Sequence, residues 1–461
     1  MSKLGDEGNT CRVAVVGAGP SGFYVADSFF RSEKAIQVDM IDALPTPFGL
    51  LRGGVAPDHQ RMKSVGSYYE RVAVKNKGRF NFIGNVTVGR DVSVETLKNY
   101  YDIIVFSYGA SDDRKLGLPG EELRGNFSAR EFVGWYNGHP DYQDYEFDLS
   151  CENVVIIGQG NVAIDVARIL VKTDEELASS DITAHARSVL KDSKIKNIYL
   201  IGRRGPVQSA FTNQEVIELG ELDNCSVVIN PTDLDLSDAD QIELEDEKNN
   251  KARKNVDALN GLLALKKSSV GKKIHILFYS NPQKIIGHTS VEGLEIEKVC
   301  LIGDAFSQRV DSLNEFKTIP CSLLFRSIGY QGVPMEGVPF DARRCVIPND
   351  QGRVLGEDGK PLIGFYTAGW IKRGPTGVLG TNKPDGFETV QSAFADLPSI
   401  APCVHRSTDD FISFLKKKDL FVFSFEDWQK IDLYEKSEGE KVGKPREKLT
   451  SVSEMISVVN A

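Results

Sequence analysis

The sequence predicts an α/β fold with two Rossmann-like dinucleotide-binding domains, the second inserted into the first. Two glycine-rich turns, each between an apolar strand and an apolar helix, predict the two domains. Two further apolar strands, at residues 101–110 and 322–329, indicate where the chain completes each sheet. We therefore expect a first domain of residues 1–111 and 329–461 and a second domain of residues 112–328.

The first glycine-rich turn lies in the segment CRVAVVGAGPSGFYVAD and is typical of dinucleotide binding. Gly17 permits the tight turn, Gly19 lets backbone N–H groups approach a pyrophosphate, and Gly22 permits close packing of helix on strand. The next strand ends at Asp42, whose carboxylate can accept hydrogen bonds from ribose hydroxyl groups. Strand, glycines, helix and carboxylate together predict a dinucleotide site.

The second glycine-rich turn follows the apolar strand NVVII and begins with Gly158 and Gly160. Ala163 stands where the third glycine of the first turn stood, which is a known variant of this pattern. The following strand, NIYLIG, ends on Arg203 and Arg204 instead of a carboxylate. Two guanidinium groups suit a ribose with a 2′-phosphate, so the second site is predicted to bind NADP. A solvated basic corner is the alternative.

One site that ends on a carboxylate and one that ends on arginines predict a tightly held flavin, FAD, and an exchangeable NADPH. Residues 48–59 follow the first site directly and form a loop placed to run beneath a flavin. His59 in this loop is either a group that orients ligand atoms or a structural histidine. Residues 369–380 are rich in glycine, and Trp370 offers an aromatic face. Glu215 is by default a lone carboxylate on a surface helix.

Composition excludes several classes of protein. The chain has 461 residues and a formal net charge of -10, which disfavours nucleic acid as a partner and restricts any acidic protein partner to a local basic patch. The seven cysteines are never spaced C-x-x-C, so the sequence predicts no metal or iron–sulfur site and no redox-active cysteine pair. The first ten residues are acidic and unlike a transit peptide, which leaves the cytosol or an organelle whose import signal lies outside this sequence.

Three segments lie outside the two nucleotide-binding patterns. Residues 172–196 insert a polar, helix-like stretch into the second unit. Residues 233–273 are rich in charge, acidic up to Glu247 and basic afterwards, and are expected to form a solvated surface helix or loop. The chain after Pro402 has a helical pattern and is expected to pack on the first domain, with no assigned function.

Taken together, the motifs resemble the adrenodoxin reductase family of NADPH:ferredoxin reductases over nearly the whole chain. They are VVGAGPSGFYVAD, GVAPDH, GQGNVAIDVARIL, IGRRGPVQSAFT, SIGY, GWIKRGPTGV and, near the C-terminus, FEDWQKID with GKPREKLTSV. The resemblance implies a fold like that of glutathione reductase, with FAD in one domain and NADP in the other. It implies hydride transfer from NADPH to FAD, followed by one-electron delivery to a small acidic iron–sulfur protein.

The resemblance also implies roles for individual residues. Leu50, Trp370 and Gly377 would help the first site to hold FAD near its ring, and Asn161 and Val162 would help the second site to hold NADP. His59 and Glu215 match positions by the nicotinamide and are the candidate catalytic residues. The cations that would face a ferredoxin are Lys251, Arg253 and Lys254.

The resemblance implies a monomer in a mitochondrion or a mitochondrion-related organelle, and the cytoplasm is the alternative compartment. Two other functions would use the same nucleotides. One is an NADPH-dependent flavin reductase or monooxygenase of a small molecule, and the other is a cofactor-binding subunit without turnover. Only the first of these would oxidise NADPH rapidly with an organic substrate.

Overall fold

The computed structural model describes residues 3–265 and 271–461. Two sheets form its framework, one of them parallel throughout and the other parallel except for antiparallel pairs at one edge. The chain begins with four strands and five helices of the first sheet region. They are β1 (Cys11–Val16), α1 (Pro20–Phe30), β2 (Ile36–Ile41), α2 (Leu50–Gly53), α3 (Gln60–Lys63), α4 (Gly66–Lys75), β3 (Phe80–Ile83), α5 (Val94–Leu97) and β4 (Ile103–Phe106).

The middle of the chain forms the second sheet and a separate antiparallel sheet. Its elements are β5 (Asp112–Asp113), β6 (Asn126–Ser128), α6 (Ala129–Tyr136), β7 (Asn153–Ile157), α7 (Asn161–Val171), α8 (Asp174–Ala178), α9 (Ala184–Lys191), β8 (Asn197–Ile201), α10 (Asn213–Glu221), β9 (Cys225–Ile229), α11 (Asp238–Glu245), α12 (Asn250–Ala264), β10 (Lys272–Leu277), β11 (Ser280–Gly287), β12 (Val291–Ile302), β13 (Arg309–Pro320) and β14 (Leu323–Arg326). The charge-rich stretch at 233–273 is thus largely α11 and α12, and residues 266–270 of it lie outside the described residues.

The last part of the chain returns to the first sheet and ends in helices. Its elements are β15 (Tyr330–Gln331), β16 (Asn349–Asp350), β17 (Arg353–Leu355), β18 (Pro361–Thr367), α13 (Trp370–Arg373), α14 (Asn382–Asp396), α15 (Thr408–Lys416), α16 (Phe425–Lys441) and α17 (Val452–Asn460). In the described part of the chain no helix combines the length and the apolar character that crossing a membrane requires.

The first sheet has the strand order β16-β17-β18-β4-β1-β2-β3, and the second has the order β6-β14-β7-β8-β10-β9. Every strand of the second sheet falls between β4 and β18 in the chain, which confirms the predicted insertion of one Rossmann-like unit into the other. The two chain crossings between the units meet as the short antiparallel pair β5 and β15. The antiparallel sheet β11-β12-β13 lies in the chain between β10 and β14, two strands of the second sheet.

The apolar strands of the sequence form the centres of both sheets because parallel strands are buried on both faces. All six residues of β1 are buried. Val13 and Val15 pack into one hydrophobic cluster, whereas Ala14 and Val16 pack into another on the opposite face. The strand alternation thus separates the cores, and each glycine-rich turn lies at the carboxyl end of a central strand.

Candidate active site

The first glycine-rich turn has the geometry that its sequence predicts. Gly17 has a φ of +107°, and a Cβ there would lie 2.6 Å from the carbonyl oxygen of Ser107. A Cβ at Gly22 would lie 2.2 Å from the carbonyl oxygen of Gly17, so the helix packs as closely as predicted. A Cβ at Gly19 would meet no atom within 4 Å. The backbone before α1 therefore faces open space, which suits a pyrophosphate.

The carboxylate of Asp42 is hydrogen-bonded to the backbone of this turn. Its Oδ2 accepts a hydrogen bond from the Ala18 N–H at 2.6 Å, and its Oδ1 accepts one from the Leu44 N–H at 2.9 Å. Burial raises the pKa of this carboxyl, and the two N–H groups work against that rise. The backbone thus fixes the carboxylate beside the glycine-rich loop, where the sequence places an acceptor for ribose hydroxyl groups.

Of the three residues expected near a flavin ring, Leu50 and Trp370 begin the short helices α2 and α13, and Gly377 lies in the loop after α13. A Cβ at Gly49 would lie 3.0 Å from the Cα of Gly19, so the loop before Leu50 contacts the glycine-rich loop directly. Leu50 is 40% exposed. Trp370 begins α13, and Gly377 follows it with a φ of +86°. The Trp370 ring stacks on the Tyr330 ring with centroids 5.7 Å apart.

The second glycine-rich turn repeats this geometry. A Cβ at Gly158 would lie 2.1 Å from the carbonyl oxygen of Ser327, whereas one at Gly160 would meet no atom within 4 Å. Asn161, the first residue of α7, accepts a hydrogen bond from the Thr212 N–H at 2.8 Å. Its amide thereby connects α7 to the turn before α10. The second turn also leaves open space in front of a helix N-terminus.

A cavity of about 1020 Å³ connects the second turn with the first domain. Arg203 and Arg204 line it, and so do Trp370 and Gly377 of the first domain. Gly158, Gly160, Asn161 and Val162 of the second turn line it as well. Its size is at the upper end of the roughly 300–1,000 Å³ typical of ligand pockets, which suits an extended dinucleotide.

Arg203 and Arg204 are exposed, and within residues 3–265 and 271–461 neither guanidinium forms a hydrogen bond or an ion pair. Two unpaired cations on the wall of one cavity favour an anionic ligand. Their place in the cavity lining is compatible with the phosphate that the sequence predicts.

His59 and Glu215 come together from different domains, with His59 Nε2 4.0 Å from Glu215 Oε2. Glu215 is not the surface carboxylate that its sequence context predicted, because it is only 7% exposed. Two acids that the sequence analysis missed complete the cluster. His59 Nε2 lies 2.9 Å from Glu218 Oε2, and His59 Nδ1 lies 3.9 Å from Asp165 Oδ1.

Both missed acids had signals in the sequence. Glu218 follows Glu215 by three residues on α10, so their side chains share a helix face. Asp165 lies one helical turn after Asn161 on α7. A search for acids at helical spacing from the predicted residues would have found both.

The pKa values of the cluster follow from burial and charge. Burial, and then the charge of Asp165, raise the pKa of Glu215 to about 7. Burial works against protonation of His59, but its hydrogen bond to Glu218 and the charges of Asp165 and Asp58 outweigh that effect and raise its pKa. The hydrogen bond to His59 also lowers the pKa of Glu218. The cluster can therefore hold and release a proton near neutral pH.

Arg168 forms ion pairs with two acidic residues that flank His59. Its guanidinium pairs with Asp58 and, at 2.5 Å, with Asp165. Asp58 precedes His59 in the chain, so Arg168 fixes the loop and the helix that flank the histidine. His59, Glu215 and Glu218 are also a group able to hold a metal ion, since their donor atoms lie within 4.8 Å of one another.

The three predicted partner-binding cations lie on α12 with different surroundings. Lys251 Nζ donates to the carbonyl oxygen of Ala210 at 2.7 Å. Arg253 donates to the carbonyl oxygens of Leu244 and Asp246 at 2.6 and 3.0 Å. Lys254 is exposed. The guanidinium of Arg253 is thus engaged with the chain's own backbone.

No family model matches the chain. The mitochondrial NADPH:adrenodoxin oxidoreductase of Arabidopsis thaliana is 41% identical to it over 463 residues, covering 96% of this chain and 94% of that protein. The Homo sapiens protein of the same name is 40% identical over 467 residues, covering 98% and 92%. NADPH-ferredoxin reductase FprA of Mycobacterium tuberculosis is 38% identical over 460 residues, covering 97% and 98%.

A solved structure of Mycobacterium tuberculosis FprA in complex with NADPH has a TM-score of 0.91 to this chain at 37% identity. It covers 98% of this chain and 100% of that one. Agreement in sequence and in structure extends over both domains. The chain belongs to the adrenodoxin reductase family of NADPH:ferredoxin reductases.

Proposed function

We propose that this protein is an FAD-containing oxidoreductase that takes a hydride from NADPH and passes single electrons to a 2Fe–2S protein of the ferredoxin or adrenodoxin type. One cavity carries this proposal, because it is lined by Trp370 of the first domain and by Arg203 and Arg204, which have no partner in the described part of the chain. Relatives at about 40% identity are named for this activity. FAD supplies the chemistry that side chains lack, since it accepts two electrons together and releases them singly.

The first domain, residues 1–111 and 329–461, would hold FAD. Gly17, Gly19 and Gly22 would admit its pyrophosphate to the N-terminus of α1, and Asp42 would accept from its ribose. Leu50, Trp370 and Gly377 would surround its ring. The open space in front of Gly19 supports this assignment.

The second domain, residues 112–328, would hold NADP. Gly158, Gly160, Asn161 and Val162 would contact the pyrophosphate region, and Arg203 and Arg204 would bind the 2′-phosphate. A charge-assisted hydrogen bond is stronger than a neutral one, so two free guanidinium groups give a preference for NADPH over NADH.

His59 and Glu215 would be the catalytic residues. Helix α7 connects His59 to the cavity, because Asn161 lines the cavity and Asp165, one helical turn later, lies 3.9 Å from His59 Nδ1. Glu215 can hold a proton at Oε2 and exchange it near neutral pH. Glu218 orients the His59 ring through its hydrogen bond to Nε2.

An acidic iron–sulfur protein would dock on the basic residues of α12, namely Lys251, Arg253 and Lys254. Since the whole chain carries a net charge of -10, such a partner requires a local cationic patch. We also propose that the protein acts as a monomer, which sedimentation equilibrium would test.

The proposed compartment is a mitochondrion or a mitochondrion-related organelle. The relatives from Arabidopsis thaliana and Homo sapiens have mitochondrial in their names, whereas the Mycobacterium tuberculosis relative does not. Fractionation of cells that express the protein would test this, and recovery in the cytosol would contradict it.

Stopped-flow spectroscopy tests the proposed function directly. The purified protein should carry flavin absorbance, NADPH should bleach it much faster than NADH, and an added ferredoxin should restore it in one-electron steps. A folded but colourless protein would contradict the proposal. Rapid NADPH oxidation with an organic substrate and none with ferredoxin would instead support a small-molecule reductase or monooxygenase.

A further inference from the structure

The C-terminal segment 443–450 inserts a buried lysine behind the loop that carries His59. Lys448 is 4% exposed, and its Nζ donates to Asn137 Oδ1 at 3.0 Å. The same Nζ lies 3.3 Å from Asp181 Oδ1. Lys63 reaches the same two acceptors, at 3.3 Å from Asn137 and 2.6 Å from Asp181. We call these four residues the two-lysine cluster.

Asp181 is ionised in this cluster. Burial works against its ionisation, but the charges of Lys448 and Lys63 outweigh burial and hold its pKa below the usual value. Burial lowers the pKa of Lys63, and it lowers the pKa of Lys448 well below its usual range. A buried carboxylate with two lysine partners is costly to disturb, because removing one of them leaves hydrogen bonds around it incomplete. Both lysines of the cluster thus contact both Asn137 and Asp181, and these contacts hold the segments that carry the four residues together.

The two residues that accept hydrogen bonds from the lysines also donate hydrogen bonds to the His59 loop, residues 55–59. Asn137 Nδ2 donates to the carbonyl oxygen of Val55 at 3.2 Å. The backbone N–H of Asp181 donates to the carbonyl oxygen of Pro57 at 3.1 Å. A path of hydrogen bonds thus runs from Lys448 through Asn137 and Asp181 to the loop.

We propose that Lys448 is a positioning residue for His59, acting through Asn137 and Asp181 on residues 55–57. This inference rests on the proposed function and assigns a role to two segments that the nucleotide sites leave unexplained. Asp181 lies in the polar insertion 172–196, and Lys448 lies in the C-terminal segment. The insertion and the C-terminus would therefore act together to hold the histidine against Glu218 and Glu215.

The central test is Lys448→Met, which keeps about the length of the side chain and removes the Nζ that contacts Asn137 and Asp181. The limiting rate of flavin reduction at saturating NADPH should fall about tenfold, because small displacements of a reacting geometry cost rate steeply. The Kd for NADPH should stay within about twofold, since Lys448 does not line the cavity that binds it. In a His59→Ala background the same substitution should cause no further loss, because the two changes act on one unit.

Lys444→Met is the matched control. Lys444 is 6% exposed on the same segment, but its Nζ contacts the Ile182 carbonyl and Glu447 instead of Asn137 or Asp181. This variant should lower the Tm without changing the limiting rate. An equal loss of rate in Lys444→Met would show that general weakening of the segment, not Lys448, is responsible.

Asn137→Leu provides a second route if Lys448→Met does not fold. It removes the amide that donates to Val55 while leaving both lysines with Asp181, and it should show the same rate loss and the same coupling to His59→Ala. An unchanged rate, or losses that multiply in the His59→Ala background, would overturn the role of Lys448. A wild-type flavin that NADPH does not reduce would instead refute the proposed function.

Discussion

The two glycine-rich sites share one backbone geometry. They differ in whether the charged side chain at the end of the following strand already forms hydrogen bonds. Asp42 accepts hydrogen bonds from two backbone N–H groups, so the first site is fixed before any ligand arrives. Arg203 and Arg204 are exposed and have no partner among the described residues, so both guanidinium groups can bind an anionic ligand. A fixed site suits a resident cofactor, whereas an unengaged pair suits a ligand that binds and leaves in each turnover.

The largest expected effect comes from filling the open space of one site at a time. Gly19→Ala and Gly160→Ala each add a methyl group that meets no protein atom within 4 Å, so both variants should fold. Gly19→Ala should weaken FAD at least tenfold, about 1.4 kcal/mol, and yield protein depleted of flavin. Gly160→Ala should keep its flavin and lose NADPH affinity.

Flavin absorbance per protein and the Kd for NADPH measure these two losses separately. Circular dichroism serves as the folding control. Retention of full flavin by Gly19→Ala would show that the first turn does not contact FAD, and the contrast between the sites would fail.

Removal of the two arginines should have the next largest effect. Arg203→Ala and Arg204→Ala should each raise the KM for NADPH about tenfold, because each loses a charge-assisted hydrogen bond to phosphate. The KM for NADH should change little, since NADH has no 2′-phosphate. Arg309→Ala, at an exposed arginine of β13, is the control. Equal losses for both nucleotides would mean that the arginines do not read the phosphate.

Sequence alone predicted the fold and the glycine positions because these depend on local rules. A strand of β-branched residues followed by spaced glycines dictates its own turn, and Gly17, Gly22 and Gly158 take positions where a Cβ would collide with backbone. The arginine pair was also local, because it ends a strand next to the second turn.

The residues around His59 could not be predicted in the same way. Helical spacing marks Glu218 and Asp165 as neighbours of Glu215 and Asn161, but it does not show that they contact His59. That contact exists only because α10 and α7 pack beside a loop of the other domain. Glu215 resembled a surface carboxylate for the same reason. Lys448 is more remote still, since its partners come from the insertion (Asp181) and from the residue that follows α6 (Asn137).

The third prediction concerns the acid cluster between the two sites. Because the pKa of Glu215 is raised to about 7, the folded state keeps a proton there that the unfolded state has already released. The free energy of unfolding should therefore fall as pH rises from about 5 to 7, by at most about 1.4 kcal/mol per pH unit. Glu215→Gln should make this slope shallower, and the part that remains belongs to other groups with raised pKa values, such as Asp42 and His59.

Chemical denaturation at a series of pH values measures that slope. Glu218→Gln is the control, since the pKa of Glu218 is lowered and its stabilising contribution is lost only as pH falls below its ordinary value. A wild-type slope that persists in Glu215→Gln would assign the titration to another group.

The smallest expected effect concerns partner docking. Here too, an exposed cation is compared with a cation that is hydrogen-bonded within the chain. Lys254 is exposed, whereas Arg253 donates to the carbonyl oxygens of Leu244 and Asp246. Lys254→Glu should lower kcat/KM for ferredoxin about threefold at low ionic strength and less at high salt, while ferricyanide reduction is unchanged. Arg253→Gln should lower the Tm, because it removes hydrogen bonds within the chain, and it should lower kcat/KM for ferredoxin less than Lys254→Glu does. If Arg253→Gln instead lowered kcat/KM for ferredoxin more than Lys254→Glu does, a charged group already bonded within the chain would bind a ligand as well as an unbonded one. The distinction drawn between the two nucleotide sites would then lose its physical basis.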